Sequence, residues 1–486
     1  MSSSVADYTS IRPVPEPAGA QILWRWLAVV VGALLTLWPA LYNRYPLLYP
    51  DCMTYLADGT PVARAVFLHQ LSDYYGMRSF IYSLGILPFH RNLTPWPVIA
   101  LQAVLTAFVI WLVVRSFRPR RTVLPYLALM VLLSALSSVS WFVSLVLPDI
   151  LGPLVYLCIY LLVYARDTLS LPERLAVSLI AWWGIASHAT HLVVAAGLCV
   201  LLGALALAQR RPHRLWLTVQ AAALVLLAAM AQLALHAYLY GEASLNGERP
   251  PFLMARVIAD GPGRWYLEQH CGRTRLAICQ YLGRLPDNAD DFLWKPDSVW
   301  QSADTETATR LRAEEMPFVL ATLRAYPRQQ LTRSAENSWE QLHTIGLWDL
   351  DASDWVLEEF DSTLPGGRSS YLRGRQAHNA LPFDLFSSIQ AWTVVASLAL
   401  IAAFVPWSWR RRPARPIGLA VIVVSTVIGN AFVTGAMSMV EERFEARIIW
   451  LLPLLAGTLL IAWQGRSSTG RLRMGATTIP GGERLI

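Results

Sequence analysis

Asp51 follows Tyr49 and Pro50 and precedes Cys52, Met53, Thr54 and Tyr55, directly after a long apolar run. An ionisable side chain at that depth is costly unless it faces water or a partner, which makes this carboxylate a candidate for taking a proton from a hydroxyl. The competing reading is that Asp51 does no more than open the amphipathic segment 53–75, as Asp does at helix starts. Asp149, preceded by Leu147 and Pro148, also stands before an apolar helix, and there the capping role is the stronger competitor. His188 and His191 lie three apart; two imidazoles without a placed carboxylate are a poor metal site, and a hydrogen-bonded turn is the stronger reading. Arg443 and Arg447, inside a run that also holds Glu441, Glu442 and Glu445, are four apart and so share one helical face. Two guanidinium groups so placed suit the oxygens of a phosphate or diphosphate, unless the run is a solvated, self-paired one.

These residues sit in a chain of 486 residues that is 55% hydrophobic and 15% charged, more apolar side chain than a soluble core can bury. The apolar residues come in runs at 22–42, 95–114, 122–141, 150–164, 175–187, 192–208, 215–238, 386–407, 416–437 and 448–463. This predicts an all-α polytopic membrane protein with about ten transmembrane helices. The first run is too long for a secretory signal and lacks a small-residue cleavage site, so it reads as a retained anchor. The net charge of +7 comes from basic residues that, Lys295 apart, are all arginine. They lie mainly between the apolar runs rather than in a patch, which argues against nucleic acid as a partner.

The stretch 175–208 decides the topology. Read as two crossings, it puts Arg115, Arg118, Arg120 and Arg121, then Arg166 and Arg174, Arg210, Arg211 and Arg214, Arg410, Arg411, Arg412 and Arg415, and Arg466, Arg471 and Arg473 on one side. Both termini are then expected in the cytoplasm. The expected organisation is a disordered tail at 1–21, seven helices with interfacial segments at 22–238, a mostly helical extracytoplasmic domain at 239–385, three helices at 386–464 and a second tail at 465–486. Helical spacing in the insert covers Thr305–Ala325 and 328–342, and Trp265, Trp294, Trp300, Trp339, Trp348 and Trp355 are expected to form its core or to seat it on the lipid surface. Cys271 and Cys279 fall in this oxidisable region and are candidates for a disulfide, provided a break separates them, since an eight-residue offset within one helix is too wide. Arg78 begins the stretch 78–89, too short to span and expected to lie along the outer leaflet.

An Asp in the first outer loop, interfacial helices after it, a Pro-Asp pair opening the fourth helix and a basic motif in the last outer loop together resemble the GT-C class of integral-membrane glycosyltransferases, which includes the protein mannosyltransferase and aminoarabinose transferase families. The resemblance is one of layout, over residues 22–238 and 386–464. It implies a sugar carried on a polyprenyl phosphate, a glycan or lipid acceptor of the cell envelope, and a bacterial inner-membrane location with the site facing the periplasm. By the same resemblance Asp51 would be the general base or the ligand of a divalent metal ion. Asp149 would orient a base or ligand. Arg443, Arg447 and Arg78 would meet the lipid phosphate, with His188, His191 and Tyr55 also in reach of substrate. The chain departs from the pattern in having Asp51 alone, with Asp58 the next acid, and in having Phe444 where some relatives carry a tyrosine. An O-antigen-type polymerase or ligase, a transporter or flippase, and a non-catalytic partner in glycan assembly are the other readings. The crowding of polar residues at one face counts against transport.

Overall fold

The computed structural model describes residues 18–474 except 73–75, 119–121, 242, 246–248 and 412–413. The first tail up to residue 17 and the second from 475 lie outside the described residues, as do Arg120, Arg121 and Arg412 and the end of the segment expected at 53–75. The described chain is helical, and its one β-type pairing is a single parallel bridge between Leu47 and Leu145. Six helices are long and apolar enough to cross a membrane: Trp96–Phe117, Ala189–Ala208, Pro212–Tyr240, Phe383–Phe404, Ala414–Met437 and Glu442–Gln464. The protein is thus an all-α, multi-pass membrane protein by length and composition.

Two of the expected runs are broken. Run 22–42 is divided into Ala18–Thr36 and Trp38–Asn43, with Pro39 in the first turn of the second piece. Run 122–141 stops at Leu136, and a separate helix, Val139–Ser144, follows it. Run 175–208 is two helices, Leu171–Ala186 and Ala189–Ala208, parted at Ser187 and His188. The first has 16 residues, a rise of about 24 Å that is short of the hydrocarbon thickness.

Leu151–Tyr164 is the middle of the bundle. All its residues but Tyr164 are buried, and it packs on Leu171–Ala186, Pro212–Tyr240, Ala414–Met437 and Trp96–Phe117. A helix apolar all round is what such a position requires. Basic residues far apart in sequence collect at one end of the bundle. Arg115 holds Glu173 through two bonds of 2.8 and 2.7 Å, Arg25 pairs with the same carboxylate, and Arg415 donates to the Ser116 carbonyl and pairs with Asp167.

The 239–385 insert feeds two cores. Residues such as Met254, Ile258, Phe292, Leu311 and Phe318 form a small separate core. Leu347, Leu350, Phe360, Leu364 and Tyr371 instead join the core of the bundle. Its long helices are Thr305–Ala325 and Pro327–His343, and the second packs on Ala414–Met437. A side chain at Gly435 would come within 2.6 Å of the Asn337 carbonyl, so glycine permits that approach. Trp294 and Trp300 pack against the small core, whereas Trp265, Trp339, Trp348 and Trp355 are exposed, which rules out a core role for those four. Cys271 caps the end of the helix Pro262–His270, five residues without helix (272–276) follow before the turn Ala277–Arg284 that contains Cys279, and the two form a disulfide with Cα atoms 5.5 Å apart. The break expected between them is present.

Candidate functional site

Two Pro-Asp helix starts are held side by side. Leu47 donates its N–H to the Ser144 carbonyl at 2.9 Å, and Val146 donates to the Leu47 carbonyl at 3.2 Å. Four residues beyond the bridged pair stand Asp51 on one strand of the bridge and Asp149 on the other, each just after a proline in a helical first turn. Neither is the capping residue. Tyr49 caps Pro50–Leu68, and Leu147 precedes the short turn Pro148–Ile150 that leads into the central helix. The twin pattern, leucine then Pro-Asp three and four residues on, was present in the sequence at 47–51 and 145–149 and is the signal that would have paired the two loops.

Arg443 and Arg447 face these carboxylates from the helix Glu442–Ile449. Arg447 donates to one Asp149 oxygen at 2.5 Å, and Arg443 approaches the other at 3.4 Å. Arg443 also reaches Asp51 at 3.5 Å, and the second Asp51 oxygen is paired with Arg78. Asp51 and Asp149 are thereby bridged by one guanidinium. The arginines are not self-paired with the glutamates of their own run: Glu445 is held by Asn430 at 2.8 Å, and Asn430 in turn accepts from Arg447 at 3.3 Å. Tyr49 lies flat against Arg443, ring centroid 4.0 Å from the guanidinium carbon, and Phe444 covers both arginines from 5.3 and 5.4 Å. Aromatic faces stabilise the cations without using up their N–H donors.

Burial grades the cluster. Arg447 and Asp149 are almost wholly buried, with side chains 1% and 4% exposed, whereas Asp51 and Arg78 keep 15% and 21%. Each carboxylate oxygen of Asp51 and Asp149 already faces an arginine, and among the described residues no group of three His, Cys, Asp or Glu is arranged around a common point. This donor set does not fit a metal ion, and no step below runs through one.

The remaining expected residues lie around this centre. His188 caps Ala189–Ala208, its Nδ1 accepting from Thr190 at 3.2 Å, and burial holds the imidazole well below the usual histidine range. His191 turns inward, with Nδ1 2.9 Å from the Gly184 carbonyl, and the two rings are 5.1 Å apart. The capped turn accounts for His188, while His191 keeps a buried Nε2 with no hydrogen-bond partner among the described residues. Tyr55 is buried edge-on to Tyr82, ring centroids 5.0 Å apart.

Of two further acids at the site, Asp349 carried no local sequence signal and Glu441 was read only as part of the charged run. Asp349, from the insert, accepts the backbone N–H of Arg443 at 2.8 Å. Glu441 hydrogen-bonds Asp349, and burial together with that neighbouring carboxylate pushes its pKa up to about 8. Gln341 accepts from the Glu441 N–H at 3.0 Å and donates to its carbonyl at 2.7 Å, and Glu442 accepts from the Trp348 N–H at 2.9 Å. The insert thus grips the start of the helix that carries the arginines. No family model, no curated protein and no solved structure matches the chain.

Proposed function

We propose that the protein is a GT-C-type glycosyltransferase that passes a sugar from a polyprenyl-phosphate carrier to a glycan or lipid acceptor of the cell envelope. The observation that carries the reading is the meeting of Asp51 with Arg443, backed by Asp149 and Arg447, at the end of the bundle opposite the Arg115, Glu173 and Arg415 cluster. Asp51 accepts the proton of the acceptor hydroxyl as its oxygen bonds to the anomeric carbon. The bond from that carbon to the phosphate oxygen breaks, and the departing lipid phosphate takes the bonding pair. Its added negative charge is met by Arg443 and Arg78, which exchange Asp51 for phosphate oxygens. Asp149 and Arg447 are positioning residues, because burial keeps both from substrate while they fix the Arg443 fork.

The reading takes ten crossings, adding to the six long helices the shorter Leu23–Thr36, Val123–Leu136, Pro148–Tyr164 and Leu171–Ala186; with that number the positive-inside rule favours a bacterial inner-membrane protein with the arginine-rich end and both termini cytoplasmic and the site facing the periplasm. The test is Asp51→Asn in the native host. The expected outcome is an envelope glycan lacking a sugar while the variant accumulates normally in the membrane; an unchanged glycan would remove the enzymatic reading. Labelling of a cysteine placed at Gly366 from the cytoplasmic side would overturn the orientation.

A further inference from the structure

A second feature at the site end of the bundle is a cavity of about 390 Å³ between the start of Trp96–Phe117 and the insert. Arg44 and Arg373 line it with the hydroxyl residues Thr94 and Ser370 and the rings of Tyr45 and Trp96. Neither arginine has a carboxylate within ion-pair distance among the described residues. Arg373 donates to Ser370 Oγ at 3.0 Å, which aims the guanidinium along the wall. Arg44 is held at φ 69°, the left-handed conformation in which a helix end favours glycine.

We infer that this cleft binds a phosphate ester, and that the ester belongs to the headgroup of an anionic lipid. Two unpaired guanidinium groups and two hydroxyls are the donors that a phosphodiester takes up, and arginine meets such oxygens two at a time. The lipid source follows from position. Trp96 is the first residue of a candidate crossing, the level at which tryptophan marks the headgroup layer, and Leu93 beside it is 69% exposed. A soluble phosphate would have no use for that apolar margin. No step of the sugar transfer is needed for this binding, so the two proposals stand or fall apart.

The test uses the full chain purified in a neutral detergent and titrated with dioctanoyl phosphatidylglycerol, dioctanoyl phosphatidylcholine or inorganic phosphate by calorimetry. The anionic lipid should bind at least about tenfold more tightly than either of the others, a difference of about 1.4 kcal/mol. The double variant R44Q/R373Q should lose at least about tenfold in that affinity at an unchanged melting temperature, because both side chains are exposed. Ser370→Trp keeps both charges and fills the cleft, and should weaken the same lipid. Equal lipid affinity in the wild type and both variants would overturn the site. Arginine-dependent binding of inorganic phosphate as tight as that of the lipid would overturn the lipid assignment.

Discussion

Arg443 stands 3.5 Å from Asp51 although 392 residues separate them, and the same guanidinium reaches Asp149 at 3.4 Å. One planar cation joins the first turns of two different helices, each of its two terminal nitrogens turned to a different carboxylate.

Replacement of Arg443 by lysine keeps the charge and removes the fork. Incorporation of labelled sugar into the envelope glycan by membranes carrying R443K should fall roughly 100-fold, the scale for a lost transition-state donor. The melting temperature should change less than in the Arg447 variant described next. A rate within about twofold of wild type would show that the fork contributes nothing.

Arg447 and Asp149 form a pair with almost no exposure. Arg447→Met leaves a buried carboxylate facing Arg443 alone and should cost about 3–5 kcal/mol, read as a lowered melting temperature in detergent. Adding Asp149→Asn should restore part of the loss, since the charge left behind is then gone. If the double variant is no more stable than R447M, the pair is not what holds this corner together.

Glu441 has an ordinary pKa of 4.5 and is pushed up to about 8 in the folded chain, so the folded state binds its proton more tightly than the unfolded state. Its contribution is therefore full below about 4.5, declines as pH rises towards about 8, and is constant above that. Asp58, lifted by burial to about 6, acts with the same sign over a lower range. Melting temperature should thus drop between about pH 5 and pH 9, and Glu441→Gln should flatten the upper part of that slope. An identical slope in E441Q would assign the dependence to other groups.

Cys271 and Cys279 are bonded, and Cys52, Cys158 and Cys199 are free and buried. Alkylation of the denatured, unreduced protein should modify three cysteines, and all five after reduction. Cys271→Ser should destabilise the insert by about 2 kcal/mol, the scale for so short a loop. Five modified cysteines without reduction would refute the bond.

Charge distribution and helical offset were enough to divide 175–208 into two helices, to place Thr305–Ala325 on a helix and to set Arg443 and Arg447 on one face. Each of those signals is local. The breaks at Leu37 and Ser137 were not legible, because a hydropathy run stays continuous across a residue that leaves the helix. Asp349 was illegible for a different reason: it is one of many acids in the insert, and only the fold brings it to the Arg443 N–H. The paired loops of Asp51 and Asp149 fall between these cases, written twice in the sequence yet joined only by the Leu47–Leu145 bridge.

The clasp of Gln341, Trp348 and Asp349 on residues 441–443 makes the large insert a structural tenant of the machinery and not a detachable lodger. Trimming the chain to its lipid-embedded part would unmoor the very turn from which both guanidinium groups project. A minimal version of this protein must therefore keep residues 341–349, whatever else is pruned.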